Sequence, residues 1–128
     1  MGPLALVVLV AVVLAAGCGS EGSAAGPPRY DLTVTYWPTG RSGQPRIATL
    51  TCDPDGGSHP NYAQACDALL QHEDVLEPVA GNVACTQIYG GDQVATLSGG
   101  GVTASFSREN GCEIARWDKL APILELPG

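Results

Sequence analysis

Five cysteines constrain this chain more than any other feature of its sequence. The chain has 128 residues, of which 5% are aromatic and 15% are charged. A domain of this size with so few large side chains makes a thin core. Cysteines can supply covalent cross-links, and an even number of them in an exported domain indicates disulfides. They stand at Cys18, Cys52, Cys66, Cys85 and Cys112.

The spacing of the last four cysteines favours two disulfides over a metal site or a catalytic thiol. The gaps between them are 14, 19 and 27 residues, and none forms a C-x-x-C pair, so the spacing does not match a zinc site. Four cysteines allow three pairings, and the spacing leaves the pairing open. A nucleophilic cysteine would have to remain unpaired, which an even number disfavours.

An apolar N-terminal segment predicts that the chain is exported. Leu4–Ala16 holds thirteen residues of Leu, Val and Ala without a polar side chain, whereas a membrane-spanning helix needs about 20 apolar residues. This length is typical of the apolar part of a signal peptide. The segment Leu14–Cys18 that follows resembles a bacterial lipobox, in which the chain is cut before the cysteine and the new N-terminal cysteine carries lipid.

We therefore predict a signal peptide over 1–17, lipidation of Cys18 and a membrane anchor through that lipid. The protein would then be exported and held at the outer face of the cell membrane. The alternative is ordinary cleavage after Ala25. Residues 18–28 are mostly Gly, Ser, Ala and Pro, which predicts a flexible tether, and 29–128 remain for one domain.

The domain has the element order of an α+β fold with one antiparallel sheet. Alternating apolar residues predict strands, helical spacing predicts helices, and glycines mark a hairpin turn. The predicted strands are Tyr30–Tyr36, Arg46–Cys52, Gln93–Leu97 and Val102–Phe106, with the turn over Ser98–Gly101. The predicted helices are Asn61–Gln71, with an apolar stripe of Tyr62, Ala65, Cys66, Leu69 and Leu70, and a short one over Glu113–Lys119.

Several function classes are disfavoured by composition and by missing motifs. The formal charge of −7 argues against a nucleic-acid partner, which normally meets a basic patch. Asp53 and Asp55 beside Pro and Gly are typical of a turn, since the acidic ligands of a calcium loop are incomplete. His59 and His72 lack an accompanying nucleophile motif. We predict no enzyme activity, no cofactor and no metal site.

Five short segments of the chain combine four cysteines with a His-Pro pair and a Cys-x-x-x-Tyr run. The segments are Thr49–Cys52, His59–Pro60, Ala65–Cys66, Asn82–Tyr89 and Asn110–Glu113. Together they resemble the bacterial subtilisin inhibitor-like family, over a stretch from about Tyr30 to Trp117.

The resemblance implies a fold, a disulfide pairing and a mode of association. The family fold is a five-stranded antiparallel sheet with two helices packed on one face, and members commonly form homodimers through the sheet. The implied disulfides are Cys52–Cys66 and Cys85–Cys112. The last strand of the family falls here on Leu120–Ile123, which contains Pro122. Because proline cannot donate in a central ladder, we expect four to five strands.

The resemblance also implies a reactive loop that binds a subtilisin-like serine protease as a substrate would. Its P1 residue, whose side chain enters the S1 pocket of the protease, is Gln87, and the reactive bond is Gln87–Ile88. The implied P4 to P2′ positions are Ala84, Cys85, Thr86, Gln87, Ile88 and Tyr89.

In an alternative interpretation, the chain has the fold of the family but does not inhibit a protease. Gln87 is neither basic nor large and apolar, Thr86 stands where the family often has Pro, and Gly90–Gly91 follow the loop. These residues also suit a non-inhibitory binding or structural lipoprotein at the cell surface.

Overall fold

A computed structural model describes Gly2 and residues 26–128 of the chain. The predicted signal peptide apart from Gly2, the lipidation site Cys18 and the tether up to residue 25 lie outside the described residues. Within the described part of the chain, no helix has the length and apolar character that crossing a membrane requires. The elements are β1 (Tyr30–Trp37), β2 (Arg46–Cys52), α1 (Tyr62–Gln71), a 3-10 helix (Glu73–Leu76), β3 (Val94–Gly99), β4 (Val102–Ser107) and α2 (Gly111–Leu124).

The four strands form one antiparallel sheet in the order β2-β1-β3-β4. Val34 pairs with Ala48 of β2 on one side and with Leu97 of β3 on the other. Leu97 in turn pairs with Ala104 of β4. All four side chains are buried, so the register places the apolar positions of every strand on one face, as the alternating pattern predicts.

Both helices pack against this apolar face and against each other. The fold is therefore the predicted α+β arrangement of one antiparallel sheet and two helices. Trp117 of α2 and Phe106 of β4 are the largest fully buried side chains, and the Trp117 ring lies 6.1 Å from the Tyr36 ring. The Cys52–Cys66 disulfide joins the end of β2 to α1, and both cysteines are fully buried.

The second helix is longer than the sequence predicts. It runs from Gly111 to Leu124 rather than from Glu113 to Lys119, and Pro122 lies inside it. Proline in a helix removes one backbone hydrogen bond, but here it stands in the last turn. Leu120, Ile123 and Leu124 are fully buried, and their burial stabilises the turn. The segment that the resemblance assigns to a fifth strand is therefore helical.

Smaller differences concern the ends and faces of elements. The buried stripe of α1 is narrower than the sequence predicts. Ala65, Cys66 and Leu69 are buried, whereas Tyr62 and Leu70 are 44% and 37% exposed. The third strand begins at Val94 and reaches Gly99, so the turn is narrower than predicted. Gly99 pairs with Val102, which leaves the two positive-φ glycines between them to make the turn.

Candidate functional site

Residues 84–89 lie together on one exposed segment between the 3-10 helix and β3. The structure assigns them to neither helix nor strand, and all but Cys85 are exposed. Ile88 and Tyr89 are 61% and 64% exposed, although both are large and apolar. Exposed apolar side chains on a fixed segment mark a surface that another molecule can cover.

The amino-terminal half of this segment is anchored covalently. Cys85 forms a disulfide with Cys112, with the two Cα atoms 5.3 Å apart. The backbone N–H of Gly111 donates to the carbonyl of Thr86 at 2.8 Å. A side chain at position 111 would collide with the Thr86 hydroxyl, so glycine permits this close approach.

Both anchors attach the exposed segment to the start of α2, and this first turn of the helix is itself held in place. The Asn110 side chain accepts a hydrogen bond from the Glu113 N–H at 3.0 Å. This is the arrangement of a helix N-cap, which holds the first turn in place. The disulfide and the Thr86 contact therefore tie the exposed segment to a capped helix end.

The carboxyl-terminal half of the segment is anchored by Arg108, which follows β4. The Gly90 N–H donates to the Arg108 carbonyl at 2.7 Å, and the Arg108 Nε donates to the Gly90 carbonyl at 3.3 Å. A side chain at position 90 would meet Ile114 of α2 at 2.8 Å. Of the two glycines after Tyr89, Gly90 is therefore closely packed. This contact could not be predicted from the sequence, because Gly90 and Arg108 lie 18 positions apart.

Gln87 stands between the two anchors, and its side chain turns back along the loop. Its Nε2 donates to the carbonyl of Cys85 at 3.1 Å, while the residue as a whole is exposed. An intramolecular hydrogen bond of this kind contributes about 1 kcal/mol net. Extending the side chain away from the loop therefore costs little.

The two histidines do not belong to this segment. His59 is 2% exposed; its Nδ1 accepts from the Asn61 N–H, so its Nε2 carries the proton and donates to the Ile123 carbonyl at 3.0 Å. This ring braces the loop before α1 against the end of α2. The backbone N–H of His72 caps the end of α1.

Two cysteines and one aspartate of the described residues come close together without offering a thiolate site. Ligand atoms of Cys52, Asp55 and Cys66 lie within 4.8 Å of one another. The two sulfur atoms are joined to each other in the disulfide. A sulfur that is bonded to a second sulfur is not the thiolate that binds zinc.

The opposite end of the sheet carries a small polar cluster at the start of β1. Arg29 forms an ion pair with Glu73 at 2.9 Å, and the Tyr30 hydroxyl donates to the same carboxylate. Burial, followed by the neighbouring Glu73, raises the pKa of the Tyr30 hydroxyl above its usual value. The cluster fixes the point at which the chain enters the domain.

Comparison with known proteins identifies one family. The sequence model of the family described as subtilisin inhibitor-like matches residues 26–109, which is more than half of the chain. A comparison with curated proteins gave no significant match. The family match includes the whole exposed segment 84–89 and three of the four disulfide cysteines. The chain belongs to the subtilisin inhibitor-like family.

Proposed function

We propose that this protein inhibits subtilisin-like serine proteases by placing the loop 84–89 in the protease active site. Gln87 is the P1 residue, and Gln87–Ile88 is the reactive bond. The observation that carries the proposal is that this exposed bond is held by the scaffold on both sides. The Cys85–Cys112 disulfide lies before it, and the paired hydrogen bonds between Gly90 and Arg108 lie after it.

Anchors on both sides favour tight binding because they reduce the entropy that the loop loses on docking. A loop of this kind pairs its backbone with strands of the protease, as an added β-strand does. The Gln87 carbonyl oxygen then points into the oxyanion hole, where hydrogen-bond donors stabilise the tetrahedral intermediate.

The same anchors explain why cleavage of the bond does not end inhibition. The protease serine attacks the Gln87 carbonyl carbon, forms an ester with it and releases the Ile88 nitrogen as an amine. Both new ends remain attached to the scaffold. The amine can therefore attack the ester, re-form the peptide bond and free the serine hydroxyl.

A second candidate function is a binding or spacing role without inhibition. The folded-back Gln87 side chain favours it, because Nε2 bonds to the Cys85 carbonyl, which a docked protease strand would also use. The net cost of breaking that bond, about 1 kcal/mol, is small beside the binding free energy of a standard-sized interface. We therefore place inhibition first.

Incubation of the purified protein with subtilisin tests the proposal, at increasing ratios of protein to enzyme for the loss of activity and with catalytic amounts of enzyme for the cutting. We expect stoichiometric loss of subtilisin activity and slow cutting at Gln87–Ile88 that stops at a mixture of intact and cut protein. Mass spectrometry measures that mixture from both directions, starting from intact and from cut protein. Full subtilisin activity, together with complete cutting or no cutting at this bond, supports the non-inhibitory function.

We also propose that the protein is a lipoprotein anchored through Cys18 and residues 18–28, with the inhibitor domain over 29–128. The topology of the domain supports this layout. Tyr30 pairs with Cys52 at one end of the sheet, whereas Val94, which follows the loop, pairs with Trp37 at the other end. Eight residues of β1 at roughly 3.3 Å each separate the two ends by about 25 Å. Replacing Cys18→Ala should release the protein from membranes or block its processing, and unchanged membrane association would contradict the anchor.

A homodimer through the sheet is the third part of the proposal. The sheet face that turns away from the helices carries Thr33, Thr35 and Trp37, together with Ile47, which is 64% exposed. An exposed Ile on this face can pack against the same residue of a second copy across a two-fold axis. Analytical ultracentrifugation of the wild type and of Ile47→Glu tests it. We expect a dimer that the charge dissociates, and a monomeric wild type would contradict the dimer.

A further inference from the structure

We infer that Arg108 is a positioning residue that holds the carboxyl-terminal half of the reactive loop while the bond is open. This inference rests on the proposed function. Arg108 contacts Gly90 twice: its carbonyl accepts from the Gly90 N–H at 2.7 Å, and its Nε donates to the Gly90 carbonyl at 3.3 Å. Gly90 is the second residue after Ile88, so this clamp lies close to the amine that cleavage releases.

The guanidinium is itself fixed by α2. Its Nη1 donates to the Asp118 carboxylate at 3.0 Å, and the Arg108 side chain is 20% exposed. The guanidinium carbon lies 5.9 Å from the centre of the Trp117 ring, and Trp117 is fully buried. A planar donor group that is held on two sides loses little further freedom when it binds Gly90. Arg108 thus transmits the rigidity of the helix to the loop.

The clamp matters because the two halves of the loop are held by different means. Before the reactive bond, a disulfide keeps Cys85 on the scaffold even after cleavage. After the reactive bond, the chain continues through Gly90 and Gly91, and Gly91 has a φ of 129°. Glycine backbone is the most freely moving in an unconstrained chain. The contacts of Arg108 therefore restrict a stretch that would otherwise carry the new amine away.

The expected consequence concerns resealing rather than folding. The Ile88 amine re-forms the bond only when it stays near the ester carbonyl, and holding two reactants together gives them a high effective concentration. Without the Arg108 side chain the Gly90 carbonyl loses its guanidinium donor, and the amine spends more time away from the ester. Water then attacks the ester more often, which yields the Gln87 carboxylate and free serine.

Three variants test the inference against subtilisin. Arg108→Ala removes the guanidinium, Asp118→Asn keeps it but removes its charged support, and Arg29→Ala removes an ion pair at the opposite end of the sheet. We expect Arg108→Ala to be cut at Gln87–Ile88 at least tenfold faster than the wild type and to settle at a larger cut fraction. Asp118→Asn should show a smaller change in the same direction, and Arg29→Ala should match the wild type.

Hydrogen exchange of the Gly90 amide separates this inference from the proposed function, because it needs no protease. We expect faster exchange at Gly90 in Arg108→Ala: the backbone carbonyl that accepts from the Gly90 N–H is kept, but the guanidinium that holds the Gly90 carbonyl is lost. An unchanged melting temperature would show that the domain is intact. If the wild type inhibits subtilisin but Arg108→Ala is cut no faster and exchanges Gly90 no faster, the positioning role is wrong. If the wild type inhibits no protease, the proposed function fails, and the exchange of Gly90 still decides whether Arg108 holds the loop.

Discussion

Arg116 joins three parts of the molecule through one buried guanidinium. It is 7% exposed and donates twice to the Val75 carbonyl of the 3-10 helix, at 3.1 and 2.8 Å. It also donates to the Ser105 carbonyl of β4 and to the Glu113 carboxylate. Its guanidinium carbon lies 4.4 Å from the centre of the Phe106 ring. The 3-10 helix, β4 and α2 are thus held together at one residue.

Replacing Arg116→Met should lower the free energy of unfolding by about 3 kcal/mol, since it leaves the buried Val75 carbonyl, the partly buried Ser105 carbonyl and the Glu113 carboxylate without their donor. Urea denaturation followed by circular dichroism measures this change. The control is Arg41→Met, because Arg41 is exposed and lies over the Trp37 ring; we expect less than about 0.5 kcal/mol there. Equal effects in the two variants would show that the buried contacts of Arg116 do not stabilise the fold.

Among the elements, the two disulfides differ in how accessible they are. Cys52 and Cys66 are both fully buried between β2 and α1. Cys85 and Cys112 are only half-buried at the loop 84–89. Because thiol–disulfide exchange needs access to a sulfur atom, a reductant should reach the loop disulfide first.

Limited reduction with a water-soluble phosphine, followed by alkylation, should therefore label Cys85 and Cys112 before Cys52 and Cys66. Peptide mapping of the labelled protein checks the order. The protein reduced at the loop alone should keep its sheet by circular dichroism and be cut faster at Gln87–Ile88. Simultaneous labelling of all four cysteines would contradict independent disulfides.

Most of the elements could be predicted from the sequence because their side chains repeat regularly. The β2 bounds agree fully and the β1 bounds to within one residue, since alternation of apolar residues is a local signal. The extent of α2 could not be predicted in this way. Its last turn depends on the burial of Ile123 and Leu124 beneath the sheet, which outweighs the proline signal.

The candidate site likewise has a part that the sequence indicates and a part that depends on the folded structure. The positions 84–89 are implied by the resemblance of Cys85 and the run that ends at Tyr89 to the family, and the structure shows them on one mostly exposed segment. The support at Gly90 comes from Arg108, on the far side of the β3–β4 hairpin. Contacts between residues that distant in the chain depend on strand pairing, and no local pattern indicates them.

At the scale of the whole molecule, the first strand of the domain begins at one end of the sheet and the C-terminal segment of the domain lies at the other. Tyr30 lies at the end away from the loop 84–89. The C-terminal segment returns to the loop end, where Arg46 donates to the Leu126 carbonyl at 2.9 Å and Arg46 pairs with Tyr36. An anchor on the N-terminal side therefore leaves the loop facing away from the membrane.

Attachment of the domain to nickel-chelating lipid vesicles tests whether this orientation controls access to the loop. A His tag before Gly26 should leave inhibition of subtilisin as strong as that of the free domain. A His tag after Gly128 should weaken inhibition severalfold, because the loop end then faces the lipid. Equal inhibition from both attachments would show that the direction of the sheet does not control access to the loop.

The most direct measurement of the inhibitory function is a titration of subtilisin, chymotrypsin and trypsin with the wild type and with position-87 variants. Gln87→Lys should create trypsin inhibition, because the ammonium meets the carboxylate of the trypsin S1 pocket. Gln87→Leu should favour subtilisin or chymotrypsin by about 1 to 3 kcal/mol. The control Gln71→Lys changes an exposed residue at the end of α1 and should behave as the wild type. If the wild type and both position-87 variants leave all three proteases fully active at micromolar concentrations, the loop does not enter a protease active site.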